Sequence, residues 1–344
     1  MRAEGPLHLA HTIDAARELH RSFAQKHAQD DKREFALRKL GDVPLCPPCP
    51  LWLKLPVQLK ESLAAAVARL TAAQVPSPRL NAESLLMFTL DCDRAYLFAH
   101  PERKLTAEEQ SRYDAALAER ARGVPTQYII GHQEFWGMDL IVTPAVLIPR
   151  PETEHVVEAV LDCVGRALLP AKAPEGQPFL RIADVGTGSG AIALALAREF
   201  PQAEIHATDI SAAALEIARA NAARLQLADR IQFHQTDLLA GLELPLDFVV
   251  SNPPYVGESE ADQVQLEVRK FEPHNAVFAG PTGTETIARL IPQAHTALKP
   301  DGWLIMEISG TIAEEVKKML EGWSEVEIKP DLQSIPRVAQ ARKS

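Results

Sequence analysis

The chain has 344 residues, of which 46% are hydrophobic and 24% charged, and its formal net charge is −10. This composition is typical of a globular protein with about two domains and a large core. The acidic balance argues against a nucleic-acid substrate, because binding to a phosphate backbone relies on lysine and arginine. No apolar run reaches the roughly 18 residues of a membrane span, and the N-terminus lacks a secretory signal pattern. The sequence therefore predicts a cytoplasmic protein with no membrane partner.

The N-terminal residues 1–55 differ in composition from the rest of the chain. A charged stretch, with a helix predicted over Thr12–Ala28, is followed by a stretch dense in proline. This pattern predicts a poorly ordered extension or linker. Cys46 and Cys49 have the C-x-x-C spacing of redox and zinc sites, but no second pair of ligands accompanies them. The favoured interpretation is two incidental thiols in a reducing compartment, so no metal site is predicted.

Residues 56–124 follow a helical period. Apolar side chains recur at helical spacing from Leu59 to Leu70, and a second helix is predicted over Arg79–Leu90. Thr106 is placed to cap a third helix, since two glutamates follow in its first turn. The sequence therefore predicts a small helical domain.

Residues 125–150 change to the period of β-structure. The runs Tyr128–Ile130 and Phe135–Val142 are predicted to be strands joined by a turn, which gives a β-hairpin. The run Pro149–Glu154 ends this hairpin and opens a helix predicted over residues 152–167. We expect the hairpin to connect the helical domain to the remaining residues.

Residues 151–344 alternate between apolar strand patterns and helical patterns. Such alternation predicts an α/β fold in which a mostly parallel sheet carries helices on both faces. The last two apolar runs are close together, which favours a final antiparallel strand. The predicted strands are 180–185, 204–208, 231–235, 246–251, 302–308, 324–329 and 336–341.

A glycine-rich turn follows the first of these strands and precedes a helix. Its candidate cofactor residues are Asp184, Gly186, Thr187, Gly188, Ser189 and Gly190. Glycines let a backbone approach a ligand closely, and a helix N-terminus favours a negatively charged group. Asp209, at the end of the next strand, is placed to accept hydrogen bonds from ribose hydroxyls. Asp237 and Leu238 follow the third strand and are candidates for binding an adenine ring.

The glycine spacing alone leaves two cofactors open. Gly186, Gly188 and Ala191 also fit the dinucleotide-binding fingerprint, which predicts NAD. Against NAD, Asp184 would place a negative charge close to a pyrophosphate. This carboxylate is better suited to the cationic sulfonium or the amino group of a methionine moiety.

The run Asn252-Pro253-Pro254-Tyr255 follows the fourth predicted strand, at the sheet edge where α/β proteins bind ligands. Its prolines fix φ and make the loop rigid. Asn252 offers a side-chain carbonyl, Pro253 a backbone carbonyl and Tyr255 an aromatic face. Two acceptors beside a flat ring suit a planar NH2 group, so these four residues are the candidate catalytic and substrate-binding loop, and Asn252 is also a candidate cofactor-binding residue. Adenine, guanine and glutamine would each supply such a group.

The glycine turn together with this loop resembles the class I S-adenosylmethionine-dependent methyltransferases that methylate planar amino groups. A narrower resemblance, to the release-factor glutamine methyltransferases (the PrmC/HemK family), covers about residues 57–344. The runs that carry it are Pro125–Gly131, Glu134–Gly137, Val146–Glu154, Phe271–Pro273, Asp331–Leu332 and Arg337–Val338.

The resemblance implies a Rossmann-like methyltransferase domain over residues 151–344, with S-adenosylmethionine as cofactor. It implies a substrate-recognition role for the helical domain, with the hairpin as linker. The implied substrate is the glutamine of the Gly-Gly-Gln motif of class 1 peptide-chain release factors. Phe135, Arg150 and Glu152 are further substrate-binding candidates, beside Glu154, although Phe135 would equally suit the core and Arg150 an ion pair that fixes the linker.

Two other functions remain open from the sequence. An N6-adenine or guanine-N2 nucleic-acid methyltransferase would share the glycine turn and the loop, but would need a basic recognition segment. A nucleotide-binding protein without transfer activity would share the glycine turn alone.

Overall fold

The computed structural model describes residues 57–166, 180–242 and 245–344. The predictions for residues 1–55, which include the helix over Thr12–Ala28 and the Cys46/Cys49 pair, lie outside the described residues. Within the described residues, no helix is long and apolar enough to cross a membrane. The same ranges hold no group of three or more His, Cys, Asp or Glu side chains arranged to bind a metal ion.

Four helices build the N-terminal layer of the described chain. Thr106 and Glu109 form the predicted cap, since the Thr106 hydroxyl accepts from the Glu109 N–H at 3.1 Å and the Glu109 carboxylate accepts from the Thr106 N–H at 2.9 Å. Tyr113 is fully buried between helices, and its hydroxyl donates to the Ala82 carbonyl at 2.9 Å. The helices are α1 Leu59–Ala72, α2 Pro78–Leu90, α3 Arg94–Ala99 and α4 Ala107–Ala121.

The hairpin is shorter than the sequence predicts, and one predicted strand is wrong. Residues Thr126–Ile130 form a single helical turn, α5, instead of a strand. Pro125 presets the backbone at its start and Gly131, with φ of +84°, ends it in the left-handed conformation. The antiparallel hairpin then consists of β1 His132–Phe135 and β2 Met138–Ile141.

A seven-stranded sheet forms the centre of the remaining chain, and each of its strands was predicted. The spatial order is β10-β11-β9-β6-β3-β4-β5, and β11 alone runs in the opposite direction to the other six strands. This reversal confirms the predicted final antiparallel strand. The strands are β3 Arg181–Val185, β4 Glu204–Asp209, β5 Ile231–Gln235, β6 Leu246–Ser251, β9 Leu298–Glu307, β10 Ser324–Pro330 and β11 Pro336–Arg342.

Helices cover both faces of this sheet because successive strand residues point to opposite sides. Ile182 and Val250 lie in one apolar core, whereas Ala183 and Val249 lie in the other. The helices in this part of the chain are α6 Glu154–Arg166, α7 Ala191–Glu199, α8 Ala212–Arg224, α9 Leu266–Phe271, α10 His274–Val277, α11 Glu285–Ala297 and α12 Ala313–Met319.

A small parallel sheet lies beyond β6 and was not predicted. It pairs β7 Val256–Gly257 with β8 Phe278–Gly280. These strands are too short to show a period of two in the sequence. The pairing ties the segment that follows Tyr255 to the rest of the domain.

Candidate active site

The glycine turn and the Asn-Pro-Pro-Tyr loop leave the sheet side by side. Strands β3 and β6 are parallel neighbours in which Val185 is paired with Ser251. The Ser251 hydroxyl donates to the Val185 carbonyl at 2.7 Å, which locks the two strand ends together. Because neighbouring strands lie about 4.8 Å apart, Gly186 and Asn252 begin adjacent loops at one edge of the sheet. This edge is where open α/β sheets bind ligands.

The glycine turn is held by backbone hydrogen bonds from β4. The N–H groups of Gly186 and Thr187 both donate to the Thr208 carbonyl at 2.9 Å. Gly186 and Gly188 have positive φ values of +72° and +56°, and no atom lies within 4 Å of where a Cβ would stand. The turn therefore needs glycine for its backbone and leaves open space that a ligand can approach.

The rest of the turn faces inwards and stabilises itself. The Gly190 N–H donates to the Thr187 carbonyl at 2.8 Å, at the start of α7. Thr187 and Ser189 are buried, and the Ser189 carbonyl accepts from the Asn221 side chain at 2.9 Å. Three of the predicted cofactor residues thus shape the turn from inside.

Asp184 lies beneath the turn and is only 1% exposed. Its Oδ2 atom accepts from the Thr187 hydroxyl at 2.6 Å and from the Ala193 N–H at 3.1 Å. Its Oδ1 atom is buried and has no hydrogen-bond partner among the described residues. Burial raises the pKa of Asp184 to about 7, although these hydrogen bonds oppose the shift. An acceptor left without a partner suits a cationic group.

Asp209 and Ile210 stand at the end of β4. The Asp209 carboxylate accepts from the Gly188 N–H at 2.9 Å and from the Ser211 N–H at 2.8 Å, so it links the turn to the start of α8. Burial raises the pKa of Asp209 against these hydrogen bonds. Ile210 leaves 59% of its surface exposed at this edge, where an apolar side chain could cover a flat ring.

Asp237 and Leu238 stand beyond β5. The Asp237 carboxylate forms an ion pair with Arg289 on α11. Leu238 is half-buried and packs against the core on that face of the sheet. Both residues lie at the same edge as the turn, but an adenine amino group would share Asp237 with Arg289.

The side chain of Asn252 is held in one orientation by its neighbours. Its Nδ2 atom donates to the Thr153 hydroxyl at 2.9 Å, and Thr153 donates to Glu307 Oε2 at 2.6 Å. The Tyr255 hydroxyl donates to the other oxygen of Glu307 at 2.8 Å. Within the described ranges, the Asn252 Oδ1 atom and the Pro253 carbonyl accept no hydrogen bond. Two acceptors therefore remain available beside the glycine turn.

Glu307 ends β9 and lies beneath the loop, 1% exposed. Burial raises its pKa, whereas the hydrogen bonds from Thr153 and Tyr255 and the charge of Arg337 lower it. Burial also raises the pKa of Tyr255, and the neighbouring Glu307 adds to the shift. Tyr255 is therefore a neutral donor that anchors its ring against the loop.

The upstream candidates divide between the core and the rim of the site. Phe135 is 1% exposed inside the core of the sheet, so its side chain is not offered to a substrate. Arg150 forms a 2.5 Å ion pair with the buried Glu272, which also accepts from the Ile148 N–H at 3.2 Å. This pair fixes the linker, while Arg150 keeps about a third of its side chain exposed (32%).

Two glutamates of the same run have different surroundings. Glu154 accepts from the Trp136 N–H at 2.7 Å and so fixes the hairpin turn. Glu152 is half-buried, and its charge contributes to raising the pKa of Glu307. The charge of Glu152 therefore acts on the buried carboxyl beneath the Asn252 loop.

Comparison with known proteins identifies the family. Residues 61–131 match the PrmC N-terminal domain, and residues 158–270 match the methyltransferase small domain. The release factor glutamine methyltransferase of Koribacter versatilis is 53% identical over 287 residues, which cover 83% of this chain and 98% of that protein. The chain belongs to the release factor glutamine methyltransferase family.

Another relative and a solved structure are also similar to this chain. The release factor glutamine methyltransferase of Moorella thermoacetica is 44% identical over 76% of this chain and 89% of its own length. The crystal structure of ribosomal protein L11 methylase from Lactobacillus delbrueckii subsp. bulgaricus is 24% identical, with a TM-score of 0.40, over 59% of this chain and 84% of that one.

The predicted family and the predicted class I methyltransferase fold are both confirmed. The enzyme is a methyltransferase that uses S-adenosylmethionine, and the NAD alternative is dismissed. The residues present fit this cofactor. Open space stands over Gly186 and Gly188, and the buried Asp184 has one oxygen without a partner at the same turn.

Three side chains of this site were missed from the sequence. Thr153 lies within a recognised run and Glu307 at a strand end, but neither position revealed a contact with the Asn252 loop. Ile210 carried one usable signal, because it directly follows an acidic residue at the end of β4. Only the folded chain brings Thr153 and Glu307 together with Asn252. The hydrogen bond between Asn252 and Thr153 spans a sequence separation of 99, and the one between Thr153 and Glu307 a separation of 154.

Proposed function

We propose that this enzyme transfers a methyl group to the side-chain nitrogen (N5) of the glutamine in the Gly-Gly-Gln motif of class 1 peptide-chain release factors. The observation that carries the proposal is the pair of free acceptors, Asn252 Oδ1 and the Pro253 carbonyl, beside the glycine turn. The names of the similar enzymes support glutamine as the acceptor.

The two acceptors address the central chemical difficulty of the reaction. An amide nitrogen is a poor nucleophile because its lone pair is delocalised into the carbonyl group. Asn252 Oδ1 and the Pro253 carbonyl each accept one N–H of the substrate amide, which fixes the nitrogen and favours positive charge developing on it. The proton leaves after transfer, so the loop needs no strong base.

The remaining loop residues give the amide a shaped site. The Tyr255 ring is held by its hydrogen bond to Glu307 and packs against the flat amide. Pro253 is buried and Pro254 half-buried, and both stiffen the loop. This rigidity limits the reorganisation needed when substrate binds.

The glycine turn and its neighbours hold the cofactor. S-adenosylmethionine supplies an electrophilic methyl group on a sulfonium centre. The turn over residues 186–190 gives the backbone close approach, and Asp184 places a negative charge beneath it. Asp209 accepts from the ribose hydroxyls, and Asp237 and Leu238 bind the adenine ring.

The upstream residues recognise the release factor. The helical layer over residues 56–124 contacts the protein substrate, the hairpin segment 125–150 links it to the catalytic residues 151–344, and Arg150 and Glu152 line the rim. A substrate that works in translation places the enzyme in the cytoplasm.

One experiment tests the proposal directly. Purified enzyme is incubated with methyl-labelled S-adenosylmethionine and a class 1 release factor, the same factor with the motif glutamine replaced by alanine, or a DNA duplex. We expect label on the unaltered release factor alone. Label on the alanine variant refutes the assigned acceptor, and label on DNA alone refutes the substrate class.

A further inference from the structure

The Asn252 amide is the last member of a hydrogen-bond chain that begins at Glu307. Glu307, at 1% exposure, and Thr153, at 3%, are both buried beneath the loop. The chain runs from the Tyr255 hydroxyl to Glu307, from the Thr153 hydroxyl to Glu307, and from Asn252 Nδ2 to Thr153. Its members come from the Pro151–Thr153 turn, the end of β6 and the end of β9.

The direction of each bond in this chain follows from Glu307. Both oxygens of Glu307 accept hydrogen bonds, from Thr153 and from Tyr255, as they do in an ionised carboxylate, which donates none. The single proton of the Thr153 hydroxyl is therefore committed to Glu307 Oε2, at 2.6 Å. Thr153 can only accept from Asn252, so the NH2 end of that amide turns inwards and Oδ1 turns towards the acceptor site.

We infer that Glu307 and Thr153 are positioning residues that determine which end of the Asn252 amide faces the substrate. The inference rests on the proposed role of Asn252 Oδ1 as an acceptor for the substrate N–H. Neither residue needs to contact the reacting atoms. They affect the reaction only by setting the direction of the hydrogen bonds that orient the Asn252 amide.

Replacing Glu307 with glutamine should reverse the donor and acceptor roles along this chain of hydrogen bonds. If the new NH2 group faced Tyr255, the Tyr255 hydroxyl would lose its acceptor, since it donates to no other group within the described ranges. If the NH2 group faces Thr153, all members stay bonded, because Thr153 then accepts from Gln and donates to Asn252 Oδ1. The second arrangement is favoured, since an unpaired buried donor is costly. It presents Asn252 Nδ2, a donor, to the NH2 group of the substrate.

The kinetic experiment compares Glu307→Gln with the wild-type enzyme on the release factor. We expect kcat to fall about thirtyfold, from a lost acceptor and an opposed donor. The Kd for S-adenosylmethionine should change less than about twofold. Asp247→Asn, which removes a half-buried carboxylate near the opposite end of β6 from the Asn252 loop, should leave kcat within about twofold. Equal turnover of Glu307→Gln and wild type overturns the inference.

A double-mutant cycle separates positioning from simple structural damage. Thr153→Val cuts the chain and should lower kcat by about tenfold, whereas Thr153→Ser keeps the hydroxyl and should restore most of it. In the Thr153→Val background, Glu307→Gln should cost less than about threefold, because the direction no longer reaches Asn252. Fully additive losses overturn the inference. Thr296→Val on α11, where the hydroxyl donates to the Pro292 carbonyl, controls for loss of a threonine hydroxyl away from the site.

A spectroscopic experiment tests the orientation without any substrate. The chain contains four asparagines, at positions 81, 221, 252 and 275, so selective ¹⁵N-asparagine labelling gives four side-chain amide signals. The signal that disappears in Asn252→Ala belongs to Asn252. We expect its NH2 protons to exchange with water faster in Glu307→Gln than in wild type. An unchanged shift and exchange rate overturns the inference, even if the wild-type enzyme proves to methylate another substrate.

Discussion

At the scale of single residues, Asn252 combines a fixed amide with a free oxygen. Its Nδ2 is held by Thr153 at 2.9 Å, so the free acceptor does not depend on substrate to become oriented. Pre-oriented polar groups act without reorganisation during the reaction, which is why their loss affects turnover more than binding. The other proposed cofactor residues lie at the ends of β3, β4 and β5, so a substitution at Asn252 should change methyl transfer more than cofactor binding.

Asn252→Ala should therefore lower kcat by about 100-fold while leaving cofactor affinity nearly intact. Turnover is measured with labelled S-adenosylmethionine and release factor, and cofactor affinity by calorimetric titration. A parallel loss of turnover and cofactor affinity would contradict the assignment of Asn252 to the acceptor.

If Asp184 binds the cofactor as proposed, cofactor affinity should depend on pH. Burial raises its pKa to about 7, and a cationic ligand binds best to the ionised carboxylate. Below about pH 7, binding includes the cost of removing a proton, so affinity should rise with pH and be about tenfold weaker near pH 6 than near pH 8. The titration is repeated on Asp184→Asn, which should bind weakly at every pH and show only the ligand's own titration. Parallel profiles for the two proteins would dismiss Asp184 as the titrating group.

The sequence predicted the site residues that are proposed to contact a ligand, and it missed two buried residues, Glu307 and Thr153, that contact other site residues. Asn252 and the glycines stand at strand ends, where their chemistry can be inferred from position alone. Glu307 and Thr153 act through a contact between segments far apart in sequence. Phe135 shows the opposite error, because an aromatic residue in a hairpin has no sequence signal that separates a groove from a core.

At the scale of elements, the hairpin and the glycine turn are joined by one buried side chain. Asn221 on α8 is fully buried. It accepts from the Ile141 N–H at 2.7 Å and donates to the carbonyls of Ile141, at 3.0 Å, and Ser189, at 2.9 Å. The Asn221 amide thus forms hydrogen bonds with the backbone of β2 and with the backbone of the glycine turn. The hairpin therefore helps to hold the glycine turn in place.

Asn221→Ala should lower the free energy of unfolding by about 2–4 kcal/mol, because it leaves buried backbone groups without partners. Urea unfolding followed by circular dichroism measures the change. Asn275→Ala, at an exposed position on α10, is the matched control and should stay within about 0.5 kcal/mol of wild type. If both variants lose equal stability, the bridging role of Asn221 is wrong.

The elements that the sequence predicted are those with long apolar patterns. Five of the seven sheet strands bury a run of residues, whereas β5 buries one residue and β10 none. The strand β9 begins at Leu298, four positions before its predicted start. The change of period predicts a strand at Tyr128–Ile130, but Pro125 and Gly131 limit this run to one helical turn. The strands β7 and β8 depend on each other and leave no local signal.

At the scale of the whole molecule, the Arg150–Glu272 pair joins the linker to the segment that follows α9. Glu272 is only 6% exposed, whereas Arg150 is half-buried. Burial raises the pKa of Glu272 although Arg150 and the Ile148 N–H oppose it. A carboxyl group with a higher pKa in the folded than in the unfolded state stabilises the fold most in acid, and this contribution declines as pH rises through the folded pKa.

Arg150→Ala should raise the pKa of Glu272 further and so enlarge this decline. We expect a loss of about 3 kcal/mol in unfolding free energy near pH 8, and a smaller loss near pH 5, where Glu272 takes up a proton. Urea unfolding at both pH values measures it. Adding Glu272→Gln should abolish the difference between the two pH values, and a loss independent of pH in Arg150→Ala would contradict the buried pair.

The strand order of the sheet has a consequence for the enzyme while it is being synthesised. β6 pairs with β9, and β11, the last strand made, lies between β9 and β10. Until β9 has left the ribosome, one edge of the apolar strand β6 therefore has no strand to pair with. The unpaired edge can form backbone hydrogen bonds with other chains until β9 pairs with it. We expect a premature stop codon ahead of β9 to yield an aggregating fragment that engages chaperones instead of a weakly active enzyme.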